Sequence, residues 1–120
     1  MKILVTGANG QVGSELIRRG NTRGFQMFAS DVSDLDISNH DAVNRYIENC
    51  KPDILINAAA YTAVDKAESE KELAHSINRD GAIYLAQSCL AANIPLFHIS
   101  TDYIFDGGKN GAYIETDTPN

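Results

Sequence analysis

Lys2-Ile3-Leu4-Val5-Thr6-Gly7-Ala8-Asn9-Gly10-Gln11-Val12-Gly13 is the stretch whose reading decides the fold. A short apolar run breaks into three glycines spaced three apart, and Glu15-Leu16-Ile17-Arg18-Arg19 then continues with helical character. The order is strand, glycine turn, helix. In such a turn one glycine lets the chain reverse sharply, one lets backbone N–H groups approach a pyrophosphate with no Cβ in the way, and one lets the helix lie close to the sheet. The first-turn N–H groups, near Gln11 and Val12, have no helical partner, and the helix dipole adds positive potential there. An anion can be held without any lysine.

Outward from this turn, a second apolar run over 25–29 stops at Ser30-Asp31. Asp31 falls about 20 residues after the turn, where a carboxylate accepts hydrogen bonds from an adenosine ribose. The competing reading of Asp31 is an ordinary strand-end turn residue. No arginine follows it closely, which favours NADH, or tolerance of both cofactors, over strict use of NADPH. Residues 35–37 are expected to form a stub of a third strand, after which Ser38 or Asn39 caps a helix over 41–49 bearing Ala42, Val43 and Ile47. The run over 54–60 has no polar alternation before Asn57, as expected of a central parallel strand with helices on both faces. From Asp65 a helix is expected, charged over 66–72 and then amphipathic through Leu73, Ile77, Leu85 and Cys89 to Asn93. Residues 94–99 read as a further buried strand, followed by Ser100-Thr101-Asp102-Tyr103 and a turn-rich segment over 106–111.

Strands alternating with helices imply right-handed crossovers. The fold expected is α/β: a Rossmann-like doubly wound parallel sheet in three layers, α/β/α, with strand order 3-2-1-4-5. With 120 residues, one domain is expected over 1–120. Ten basic against 16 acidic side chains give a formal charge of −6, which argues against nucleic acid as a partner, because phosphate-backbone binding rests on clustered Lys and Arg. No apolar run approaches the roughly 20 residues that span a bilayer, so no membrane partner is expected, and with no signal-peptide pattern the expected location is cytoplasmic. Cys50 and Cys89 have no CxxC or His-rich neighbourhood and read as reduced, partly buried fillers. His98, inside an apolar strand, reads as a satisfied core histidine; His40 and His75 belong to no constellation. Ser100, His98 and Asp102 make a poor triad, since alternate strand residues share one face but cannot wrap round one scissile bond.

Four blocks together carry a resemblance: TGANGQVGSEL over 6–16, NAAAYTAVDKAE over 57–68, SINRDGA over 76–82 and HISTDYIFDG over 98–107. The chain resembles the dTDP-4-dehydrorhamnose reductase family of extended short-chain dehydrogenases across nearly its whole length. The middle block discriminates best, because epimerases and dehydratases of that superfamily usually carry His-Leu-Ala-Ala where this chain has Asn57-Ala58-Ala59-Ala60. The resemblance implies hydride transfer from NADPH or NADH to the 4-keto group of a dTDP-sugar substrate. It implies that Gly7, Gly10, Gln11, Val12, Gly13 and Asp31 bind the cofactor, with Ala58, Ala59 and Ala60 lining it and Asp36 and Ile37 flanking the adenine. Thr101 matches the family's catalytic hydroxyl, which would hydrogen-bond the carbonyl oxygen as charge develops there, although a strand-end Ser-Thr pair is more often a cap or an ST-turn. Thr62, Val64, Asp102 and Tyr103 match positions near the substrate, and Asn78 resembles a supporting asparagine on the inner face of its helix. Glu15 matches a residue that some members use at a magnesium-linked dimer contact; no partner ligands stand with it, so no metal is assigned, and a homodimer is an expectation for the longer protein.

The family's proton donor is a tyrosine with a lysine four residues later on the same helix face. No tyrosine here has that lysine: Lys51 and Lys66 each come one residue too late after Tyr46 and Tyr61, about 100° off the required face. Thr118-Pro119-Asn120 resembles the lead-in to that segment, so the chain is expected to be the N-terminal part of a reductase, truncated before the catalytic Tyr-x-x-x-Lys helix and inactive alone. Two other readings stand beside it: a non-catalytic nucleotide-binding regulatory subunit of the same ancestry, and another sugar-nucleotide epimerase or dehydratase. A sheet cut after its last strand is also expected to expose an apolar edge.

Overall fold

The structure, a computed structural model, describes residues 1–119; the side chain of Asp102 lies outside that description. Four parallel strands form one sheet among the described residues: β1 (Lys2–Thr6), β2 (Gln26–Ser30), β3 (Ile54–Asn57) and β4 (Leu96–His98), in the order β2-β1-β3-β4. Helix α1 (Gln11–Thr22) crosses from β1 to β2 and α2 (His40–Cys50) leads from β2 to β3. Between β3 and β4 come two short helices, α3 (Val64–Ala67) and α4 (Lys71–His75), a π-helical turn (Ser76–Gly81) and α5 (Ala82–Ala92).

The layers follow from strand alternation. Leu4 pairs across the sheet with Phe28 and Leu55, and this row meets Val43 and Ile47 of α2 and Leu85 and Cys89 of α5 in one buried cluster. The opposite face carries Ile3, Val5 and Met27. There α1 lies so close that a Cβ at Gly20 would collide with the Met27 side chain. This covering helix spans β1 and β2, while Phe97, registered beside Ile56 on the same face, is 59% exposed.

Three expectations are corrected. Residues 35–37 form no strand. Leu35 N–H donates to Asp31 O and Asn39 N–H to Asp36 O, while the Asp36 carboxylate takes Ser38 N–H and Oγ–H. Turn chemistry satisfies these groups locally, and without a ladder partner the segment instead drives Leu35 and Ile37 into the core as plugs. With the stub removed, the expected strand order and the observed one coincide. Residues 94–99 are not a buried strand: β4 is a three-residue edge on which Phe97 stays exposed, as does Ile99 just beyond it, and His98 is an exposed rim residue, not a core one. The long helix from Asp65 is broken at 68–70 and widens to a π-helical turn at 76–81. The cap expected at Ser38 or Asn39 is Asn39, whose Oδ1 accepts from Ala42 N–H at 3.0 Å.

Candidate functional site

The connections from β1 and from β3 leave in opposite directions across the sheet, so the order reverses between these two neighbours, and a crevice opens beyond their C-terminal ends, where doubly wound sheets take ligands. Gly7 follows β1 with φ +69°, a left-handed conformation that disfavours any side chain. A Cβ on it would also stand 2.6 Å from Ala59 N and Cα and 2.7 Å from Ala58 O. At Gly13 a Cβ would strike Gly7 O, so this glycine sets the helix against the turn. Gly10 is the N-cap of α1; its N–H donates to Gly7 O at 3.1 Å and its carbonyl accepts from Ser14 N–H. No side chain caps the helix, so the first-turn N–H groups of Gln11, Val12 and Gly13, which helical geometry leaves without carbonyl partners, point out of the N-terminus.

The crevice has a volume of about 300 Å³. Gly7 and Gly10 form one wall, Asp31, Asp36 and Ile37 another, and Ala58, Ala59 and Ala60 a third. Asp31 is held by two amides: Asn9 N–H donates to Oδ2 at 3.0 Å and Val32 N–H to Oδ1 at 2.8 Å. Each oxygen keeps a lone pair for a further donor. The alanine wall is fixed at both ends. Ala58 N–H donates to Thr6 O and Ala59 N–H to Asn57 Oδ1, while at the far end Asn78 clamps Tyr61 twice, accepting Tyr61 N–H at 2.8 Å and donating to Tyr61 O at 3.1 Å. Asn78 sits in the π-turn, a local underwinding frequently found at functional sites. Tyr61 Oη donates to Glu70 Oε2 at 2.6 Å, and that carboxylate pushes the phenol pKa up.

Val32, Leu35, Tyr61 and Ile77 also line the crevice and were not singled out in the sequence. Leu35 carried a usable signal, an apolar residue in an otherwise polar turn; Ile77 carried another, being adjacent to Asn78. Gln11, Val12 and Gly13 form the first turn of α1 and are not among the lining residues. Thr62 and Val64 follow the alanine wall as exposed residues. Thr101 lies three residues past the end of β4, the strand two places from β1 in the sheet. Its Oγ1 accepts from Tyr103 N–H at 3.2 Å in an ST-turn, and Tyr103 is 80% exposed. Thr62, Val64, Thr101 and Tyr103 are not among the residues that line the crevice; the side chain of Asp102 lies outside the described residues.

Away from the crevice, Arg18 and Arg19 both bind the Glu15 carboxylate and hold its pKa down to about 2. Among the described residues no three His, Cys, Asp or Glu side chains are grouped to hold a metal ion, and no helix is long and apolar enough to cross a membrane.

A dinucleotide fits this geometry on three counts. The turn meets the crevice through Gly7 and Gly10, the N-cap of α1, the third wall is built of alanines, and a carboxylate stands at the end of β2. A family model described as RmlD substrate binding domain matches residues 1–120. The dTDP-4-dehydrorhamnose reductase of Aggregatibacter actinomycetemcomitans is 47% identical over 117 residues, covering 97% of this chain and 40% of that protein. The crystal structure of a dTDP-4-dehydrorhamnose reductase from Clostridium acetobutylicum superimposes with a TM-score of 0.96 at 43% identity, over 100% of this chain and 43% of that one. The Bacillus anthracis dTDP-4-dehydrorhamnose reductase, solved in complex with NADP, gives 0.93 at 38% identity over 99% and 43%. The chain thus spans about 40% of the length of the curated relatives it matches. Matched by the family model over its entire length, the chain belongs to the RmlD family, that of the dTDP-4-dehydrorhamnose reductases.

Proposed function

We propose that residues 1–120 are the nicotinamide-dinucleotide-binding domain of a reductase acting on a dTDP-4-keto-6-deoxyhexose. One observation carries the reading: a turn that presents Gly7 and Gly10 faces a crevice lined by Ala58, Ala59 and Ala60 where the strand order reverses. The NADP held by the Bacillus anthracis relative supports the same ligand class.

In this reading the N–H groups of Gln11, Val12 and Gly13 hold the pyrophosphate, Asp31 accepts from the adenosine ribose, and Asp36 and Ile37 flank the adenine. Ala58, Ala59 and Ala60 leave room beside the nicotinamide end. Bound there, reduced nicotinamide supplies a hydride that, with one proton, turns a ketone into a secondary alcohol and leaves the oxidised cofactor. Thr101, already oriented by its ST-turn, donates to the carbonyl oxygen, and Thr62, Val64, Asp102 and Tyr103 stand on the sugar side. The proton comes from outside these residues, because no tyrosine among them has a lysine four positions later. That same feature favours a second reading, a non-catalytic dinucleotide-binding module. The two part on turnover of the dTDP-4-keto-sugar by the full-length protein.

The test is a fluorescence titration with NADPH and NADH. Gly10→Val fills the approach to the pyrophosphate, since even a Cβ there sits 3.3 Å from Gly7 O; at least a tenfold rise in Kd is expected, and unchanged affinity rejects the site. Asp31→Ala is expected to shift the NADH/NADPH affinity ratio toward NADPH, because a 2′-phosphate no longer meets a carboxylate. An unmoved ratio removes the ribose role from Asp31.

A further inference from the structure

The last registered row of the sheet is polar on every strand. Ser30, Thr6, Asn57 and His98 stand side by side across β2, β1, β3 and β4, directly above the apolar row Ala29, Val5, Ile56, Phe97. Thr6 and Asn57 are each 1% exposed, and a buried amide needs its hydrogen bonds made. Asn57 makes them in a defined order. Ala59 N–H is a donor and nothing else, so the Asn57 atom 3.0 Å from it is the carbonyl Oδ1. Thr6 Oγ1 is 2.6 Å from that same oxygen and donates to it. The amide nitrogen is thereby turned toward β4, where it lies 3.0 Å from His98 Nδ1. Nδ2 can only donate, so Nδ1 is the unprotonated ring nitrogen and the proton of the neutral imidazole sits on Nε2.

We propose that His98 is a positioning residue for the crevice: by accepting from Asn57 Nδ2, it locks the Asn57 amide in the orientation that holds Ala59 N–H, and so fixes the alanine wall against the glycine turn. The tolerance for movement there is small, since Ala59 N and Cα lie 2.6 Å from the place a Gly7 Cβ would occupy. His98 is not among the residues that line the crevice; it acts through Asn57. The effect on ligand binding rests on the dinucleotide reading above, whereas the effect on Ala59 does not.

Two variants in the full-length protein test this. His98→Leu removes the acceptor from an exposed edge position and leaves the core untouched. His98→Asn puts an amide oxygen where Nδ1 stood and can accept again. Amide hydrogen exchange at Ala59, without ligand, is expected to be faster in the leucine variant and to return toward the wild-type rate in the asparagine variant. The Kd for NADPH is expected to rise about two- to tenfold in the first, the size of one lost hydrogen bond, and to recover in the second. Ala59 exchange unchanged by His98→Leu, or equally fast in both variants, overturns the proposal. Exchange that follows the proposal in a wild-type protein that binds neither NADPH nor NADH upholds the positioning role and removes the dinucleotide reading instead.

Discussion

At residue scale the glycine turn was readable because steric need and spacing coincide. Gly7 and Gly13 each stand where a Cβ would meet backbone atoms at less than 3 Å, and backbone cannot swing aside as a flexible side chain can. Gly7→Ala is accordingly expected to destabilise the protein by about 1–3 kcal/mol from the left-handed conformation alone, and by more from the collision with the alanine wall; urea denaturation reads the difference. Cys89 was expected to be a filler, and burial pushes its thiol up to about 11. It should resist alkylation at pH 8 in the native protein and react only on unfolding, which mass spectrometry after iodoacetamide treatment will show. The roles of Asn57 and His98 were not legible. Nothing in a single strand tells which of its residues shares a rung with a neighbour 41 or 51 positions away.

At the scale of elements, periodicity and caps located β1, α1, β2, α2 and β3 closely, while the segment over 35–37 misled. Its alternation of apolar, acidic and apolar residues is strand-like, yet a strand needs a partner, and Asp31, Asp36 and Asn39 offered the backbone nearer ones. The apolar content was real and its destination was the core: Ile37 is 5% exposed and packs so tightly on the π-turn that a Cβ at Gly81 would stand 2.8 Å from its Cδ1. Ile37→Ala is expected to cost about 2–5 kcal/mol through the cavity it leaves. Because Ile37 also lines the crevice, dinucleotide Kd should rise with it. Loss of stability with unaltered affinity would uncouple this plug from the crevice. The break of the helix over 68–81 had no local marker, since Glu70, Ser76 and Asn78 are all tolerated inside helices; the clamp on Tyr61 is a tertiary demand.

For the whole molecule, class and topology were legible because a continuous apolar run such as 54–56 has few homes other than a parallel sheet. What composition could not show is how unevenly that sheet is covered. Over β1 and β2 one face lies under α1; farther along, Phe97 is 59% and Ile99 47% exposed. Taken as an isolated piece, residues 1–120 are expected to associate through this surface, and Phe97→Lys to shift the distribution toward monomer in size-exclusion chromatography with light scattering. A clean, heat-resistant monomer without that substitution contradicts the expectation.

The placement of β1 at the middle of the sheet has a consequence for how the chain acquires its shape. Thr6 makes its contact with Asn57 across 51 positions, so the glycine bend cannot be stiffened from the β3 side until those intervening residues have been synthesised. At ribosomal speeds of about 5–20 residues per second, that leaves the nascent strand waiting roughly 3–10 s for its neighbour. During that interval α1, β2 and α2 are the only elements already made that can shelter it, and any chaperone that engages this polypeptide should find its earliest foothold on residues 2–6.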